Sequence, residues 1–584
     1  MSQPLLSPLP AARQDAAADP PQPRPPEFLM RPERLGAMQP SRISASRALI
    51  LRAAREGWRI EKRRFDIDAE AQGIAVYEIL AQGRSFTFCA FSVTPQRGGR
   101  TGRIIGRAWD MQGALIEGPP DAATIETTRQ ELPKLYQGRA TPGTLVWCRS
   151  NRSMRVFDAT VVALSEGRQP DVPTLATACY LMRNTGLDGN GTFGTRSFLA
   201  LEDDHPLRGA LAAQMLTAVL MREFAADLVE CLARHRDPAR AVTLAPTIRR
   251  FLGIGNGSAL GLMFFVHNHP RLIHAWIAAR EQAIALAKAL PVTAGDARVA
   301  ALRAEVARAA RFRREDRMRY EGFAKSALVA RELEVIGAAL DALHATGRVA
   351  GHAHRYPLAA LADGLEGRLH PESIETLLSL MIELVPDQAD ALMGNLIVSE
   401  ELVTDPAMRC GALRALLEAE HGWALAIDMQ APGARRFIWY KSATAEEPRR
   451  GPLEEVPEGA HNLALDLPSL AQALHAELRG RPAEQPVSRL LAARPDLRLM
   501  ISRVQGLRGL GYHVPHANPL DEGFVPAQVV RLLNAALHGV DKTRDFLDRN
   551  LRGVLLHGAP TAADLAAHAE GPWFNPAEPS MEAL

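Results

Sequence analysis

Between Ile74 and Ala90 the chain alternates side chains with a period of two, interrupted once by Gln82-Gly83. Ile74, Val76 and Leu80 lead into that dipeptide, and Phe86, Phe88 and Ala90 follow it against Ser85, Thr87 and Cys89. A period of two sends alternate side chains to one face of a strand, and a short Gly-containing break between two such runs reads as a hairpin. This predicts an antiparallel hairpin with one buried face. Upstream, Leu49 to Glu56 has helical spacing, Gly57 is placed to end the helix, and Trp58 opens an extended stretch. Runs at Arg103 to Met111, Thr144 to Cys148 and Met154 to Leu164 enlarge the hairpin into a mainly antiparallel sheet, of about four to six strands.

A second β-rich patch is expected where Trp423, Leu425 and Ile427 alternate, Pro432-Gly433 turns, Phe437 to Tyr440 returns, and Leu463, Leu465 and Leu467 follow. Gly57-Trp58 and Gly138-Arg139 bracket the first patch as Gly422-Trp423 and Gly480-Arg481 bracket the second, which suggests an internal duplication. Between the patches the chain reads as helical. Leu216, Leu220, Phe224, Leu228 and Leu232 recur every four residues, and Ile273, Ile277 and Ile284 share one helix face. The fold class is α+β, with two helix-plus-antiparallel-sheet units flanking a central helical region. The expected boundaries are a disordered Pro-rich arm over 1–42, an N-terminal unit over 43–170, a helical region over 171–400, and a C-terminal unit over 401–584 that ends in helices. The arm is placed by its ten prolines before residue 41, among them Pro20, Pro21, Pro23, Pro25 and Pro26.

Composition narrows the function classes. With 584 residues and 47% hydrophobic content the chain can bury more than one core. Its 68 basic and 66 acidic side chains nearly cancel, so no global field favours a polyanion. Lysine occurs only at Lys62, Lys134, Lys288, Lys325, Lys441 and Lys542, none of them after a phosphate-loop glycine run. Cys89, Cys148, Cys179, Cys231 and Cys410 are odd in number and widely spaced, which excludes a disulfide framework and a zinc ribbon. No apolar run approaches a membrane span and no leader pattern opens the sequence, so a soluble cytoplasmic protein is expected.

Three polar segments carry the candidate chemistry. Arg183 to Arg196 is punctuated by glycines and contains Asn184 and Asn190, so its amides and the Arg183 and Arg196 guanidiniums suit a carboxylate or phosphate. This segment is read as following a helix that ends near Met182. Gly253-Ile254-Gly255-Asn256-Gly257-Ser258 precedes an apolar run, and Asn256 or Ser258 at a helix start would offer N–H groups to an anion. It departs from a dinucleotide fingerprint at Ser258 and lacks a preceding strand. His267-Asn268-His269-Pro270 then marks a helix corner where an imidazole could exchange a proton. A loop containing Tyr512 and His516 is a further candidate pocket wall.

The expected function is an enzyme acting on a small anionic metabolite. His267 and His269 are its acid–base candidates, and Arg183, Asn184, Asn190, Arg196, Asn256, Asn268, Tyr512 and His516 its binding residues. No motif names a reaction class or a cofactor, and no metal ligand is assigned. The expected partner is the small anion, not a membrane or nucleic acid, and a homo-oligomer is compatible with this reading. Two alternatives stand beside it. One is a scaffold or nucleic-acid-binding protein using the Arg-rich helix from Arg308 to Arg319, whose Glu315 and Asp316 also suit a salt-bridged face. The other is a metal-dependent enzyme using His pairs such as His267/His269, His352/His354 and His513/His516.

Overall fold

The computed structural model describes residues 19–93, 110–132, 143–153, 156–184, 201–256, 270–315, 322–396, 404–428, 430, 463–513, 530–533, 535–537, 553–567 and 573–579. It is an α+β fold built on one nine-stranded mixed sheet among the described residues, in the order β1-β2-β3-β4-β5-β6-β7-β9-β8. The strands are β1 (Arg59–Ile67), β2 (Gly73–Ala81), β3 (Arg84–Ser92), β4 (Met111–Glu117), β5 (Thr144–Arg152), β6 (Tyr180–Asn184), β7 (Gly253–Asn256), β8 (Ala535–Leu537) and β9 (Gly553–Leu555). Every neighbouring pair is antiparallel except β6 and β7. That parallel pair needs a long crossover, which the Ala212–Arg236 and Pro246–Phe251 helices supply.

The β2–β3 hairpin forms at the expected dipeptide. Gln82 and Gly83 both take positive φ, 49° and 75°, the geometry that lets a two-residue turn follow the twist of its strands. Its burial differs from expectation, because both faces are covered. Tyr77 and Ile79 lie opposite Phe88 and Phe86 and enter the main core. Val76 lies opposite Cys89 on the other face, where Cys89, Phe91, Ala114, Ile116 and Leu132 form a smaller core beside the Ala122–Glu131 helix. On the inner face, the Ala212–Arg236 helix packs against β3 to β7 and is buried nearly all round.

Several local expectations are corrected. From Val156 onward, the described part of the expected Met154 to Leu164 strand is not a strand: Phe157–Ser165 is a helix whose Phe157, Val161 and Leu164 face the core. Trp423 and Leu425 complete the Cys410–Leu425 helix, and Leu463, Leu465 and Leu467 fall in the Leu463–Arg479 helix. Leu413, Leu417, Leu474 and Leu478 pack between these helices, so the apolar residues follow helical and not strand spacing. The turn at Pro432-Gly433 and the return at Phe437 to Tyr440 lie outside the described residues, as does Arg103 to Ala108. The late strands instead complete the sheet begun by β1, β9 pairing with β7 and β8 with β9. No helix among the described residues is long and apolar enough to cross a membrane.

Disorder over 1–42 is corrected from residue 19 onward; residues 1–18 lie outside the described part. Residues 19–44 form a strap across the central helices, with Leu29, Leu35, Met38 and Ile43 buried in the main core. Arg24 donates to Glu281 at 2.6 and 2.7 Å and to Glu375 at 2.5 and 3.2 Å. Both carboxylate side chains are 0% exposed, and Arg280, also 0% exposed, bridges them at 3.0 and 2.8 Å. Arg34 adds contacts to Glu366 and Glu375. Prolines open the short Pro26–Leu29 and Pro32–Leu35 helices of the strap, and these buried ion pairs fix where it lies.

Two measurements test this account. Arg24→Met leaves two buried carboxylates short of a cation, and the expected loss is about 3–5 kcal/mol of unfolding free energy in urea titration. Burial alone would push the Glu375 carboxyl up, but Arg24 and Arg280 outweigh it and hold the group at about 2, against 4.5 when unfolded. Its contribution is therefore complete above about pH 4.5 and lost as pH falls toward 2, and Arg24→Met flattens that acid limb. Gly253 tests the sheet: a Cβ there would sit 2.4 Å from the Leu555 carbonyl oxygen. Gly253→Ala is expected to cost about 1–3 kcal/mol in the same titration.

Candidate functional site

Four short strands share one register row at the limit of the described residues. Asn184 of β6 is the register partner of Asn256 of β7, Asn256 of Gly553 in β9, and Gly553 of Leu537 in β8. On the other side Asn184 lies opposite Ser150, the seventh residue of the nine-residue strand β5. Among the described residues the sheet is therefore stepped at this row. Beyond it β5 continues back toward Thr144, while residues 185–200, 257–269 and 538–552, which follow β6, β7 and β8, lie outside the described part. The carboxyl ends of neighbouring parallel strands, where successive chain segments diverge, are the usual ligand position in an open sheet.

Two corrections lie in this step. The residues before the Arg183 segment form a strand, β6, and not a helix ending near Met182. The Gly253 segment is itself the strand β7, preceded by the Pro246–Phe251 helix, and not a loop poised before a helix. Its glycines answer to packing. Gly253 is pressed on β9, and a Cβ on Gly255 would meet the Tyr180 ring at 2.8 Å. A strand of larger residues would not fit between β6 and β9.

Arg183 lies opposite Asn151 of β5 and Gly255 of β7. Facing partners in a ladder share a face, so Arg183 and Asn151 stand on the same side of the sheet as Arg149 two residues earlier. Arg149 is buried, is the register partner of Gln112, and lies over the Trp147 ring at 5.4 Å. Asn151 Oδ1 accepts the Asp110 N–H at 3.2 Å, and Asp110 Oδ2 accepts the Arg152 N–H at 2.9 Å. Arg152 lies over Phe157 at 5.0 Å, with its Nε 3.9 Å from Asp110 Oδ1. Arg183 is half-buried and makes no ion pair among the described residues. Two guanidiniums and an amide on one face beside a strand step can hold an anion by bidentate and single hydrogen bonds.

Of the residues expected from sequence, Arg183, Asn184 and Asn256 are brought onto adjacent strands. Tyr512 sits elsewhere, its N–H on His274 and its hydroxyl on the Arg24 carbonyl. Asn190, Arg196, His267, Asn268, His269 and His516 lie outside the described residues. Sequence reading missed Gln112, Arg149 and Asn151, because it ended the β5 run at Cys148. The alternation Trp147-x-Arg149-x-Asn151 was the available signal.

Within the described part of the Arg-rich helix, three arginines are paired. Arg313 turns inward to buried Glu372 at 2.9 Å, Arg308 pairs with Glu305, and Arg314 lies 3.5 Å from Glu334. Among the described residues no three His, Cys, Asp or Glu side chains converge as a metal-ligand set. The chain matches no known family, no curated protein and no solved structure.

The step makes Gly255 a sensitive position. Gly255→Val places two methyls against the Tyr180 ring, and an expected loss of about 1–3 kcal/mol is read by urea unfolding.

Proposed function

We propose that this chain is an enzyme that binds a small anionic metabolite at the step where β6 and β7 end. The carrying observation is the register pairing of Asn184 with Asn256, which sets these residues of the two Gly-rich segments side by side on adjacent strands. Arg183, with Arg149 and Asn151 on the same face, supplies the anion's donors.

His267 and His269 provide the acid–base group in this reading. They fall between Asn256, fixed in β7, and Pro270, which opens the Pro270–Lys288 helix. The segment is thus tethered at both ends, one of them at the step. An imidazole is suited to the role because it exchanges a proton near neutral pH.

Thermal unfolding of the wild type against inorganic phosphate and small di- and tricarboxylates is the test. At about 100 times Kd a ligand stabilises the native state by about 2.7 kcal/mol, enough to move the transition by a measurable amount. The expected result is a concentration-dependent rise for at least one anion, reduced in Arg183→Ala by about tenfold or more in affinity. His269→Gln keeps the rise and slows turnover of whatever anion is identified. No anion-dependent rise in the wild type, or an equal rise in Arg183→Ala, overturns the reading.

A further inference from the structure

The Tyr512 loop contains a titratable junction that the anion site does not use. Residues 510–513 leave the Arg498–Gly506 helix, which belongs to a second helical unit with its own core of Leu413, Leu417, Leu474, Val487 and Ile501. Tyr512 itself packs with the main core. Its N–H donates to His274 Nδ1 at 2.9 Å, and its ring stacks on the His274 imidazole with centroids 5.7 Å apart. Its hydroxyl donates to the Arg24 carbonyl of the strap. Gly511 is so close to Pro26 that an added Cβ would fall 2.7 Å from the proline Cγ. Strap, exit loop and the Pro270–Lys288 helix therefore interlock at one place.

The hydrogen bonds dictate protonation. An amide can only donate, so the Tyr512 bond exists only while His274 Nδ1 keeps its lone pair. His513 beside it meets two acceptors, Glu420 Oε2 at 2.8 Å from Nε2 and the Leu510 carbonyl at Nδ1. Glu420 belongs to the Cys410–Leu425 helix, so this contact ties the loop to the second helical unit. The charged groups about the junction are His513 from the loop, Glu420 from that helix, Arg24 and Glu27 from the strap, and Glu281 from the helix of His274 itself.

We propose that His274 is an acid-sensitive latch: neutral, it holds the Tyr512 loop and with it the second helical unit against the strap; protonated, it releases them. Burial first, and then the charge of His513, push His274 below its ordinary 6.5. The sign follows. A histidine held neutral by the fold contributes its full stability above the unfolded value of about 6.5, and the contribution is lost as pH falls below it.

Hydrogen–deuterium exchange on the full chain, with intrinsic rates corrected for pH, reads the latch at Leu510 to His513. Between about pH 7.5 and about pH 5, wild-type protection is expected to fall by at least about threefold. His274→Gln retains an acceptor for the Tyr512 N–H but takes no proton, and its protection is expected to stay level over the same range. An equal fall in both proteins overturns the latch. So does an absence of any fall in the wild type, a measurement that stands even if the variant does not fold.

Discussion

Two carboxylates without solvent, Glu281 and Glu375, set the terms for the helical half of the molecule. An ionised group in such a place is tolerated only with cations and hydrogen bonds at close range. Arg280 is local to Glu281, but Arg24 comes from far up the chain. Because Arg24 must reach both acids, residues 19–44 are fixed along the helices. That path in turn brings Pro26 and the Arg24 carbonyl to the Tyr512 loop. One buried charge requirement thus positions the strap, the exit loop and the junction with the second helical unit. Similar logic holds nearby, where Glu372 gathers Arg313, Arg531 and Gln39 from three separate segments.

The sheet answers to a different constraint. β7 lies between β6 and β9, and close approach on both sides leaves room only for glycine at Gly253 and Gly255. The same strand sets Asn256 beside Asn184 and Gly553, in the register row that we propose as the ligand position. Glycines that resemble a phosphate-binding loop in sequence thus have a packing cause where they can be observed. The proposed chemistry rests on the segments that follow them and on Arg183, Arg149 and Asn151.

Legibility from sequence followed locality. The β2–β3 hairpin was readable because its partners are adjacent, its period is two, and Gln82-Gly83 adopts the positive φ values its turn needs. The Ala212–Arg236 and Pro270–Lys288 helices were readable from apolar spacing. β6 and β7 were not: at five and four residues they are too short to display a period, and glycine at alternate positions of β7 removes the side chains that would mark it. Phe157–Ser165 was mistaken for a strand because β-branched and apolar residues run together there, and burial overrode their propensity. The strap was invisible for another reason. Arg24 finds its partners 257 and 351 residues away, and nothing in a proline-rich segment announces that one arginine will be neutralised at such a distance. For the candidate site, Arg183, Asn184 and Asn256 were legible as a polar, glycine-rich composition, while Arg149 and Asn151 depended on knowing how far β5 extends.

Because β9 supplies the outer neighbour of β7, a nascent chain exposes the β7 edge from the moment residue 256 leaves the ribosome until residue 555 emerges, almost 300 residues later. During that interval a bare strand edge is available to any other extended polypeptide. Synthesis of this protein therefore includes a prolonged aggregation-prone phase, which a chaperone that shields unpaired strand edges would shorten or guard.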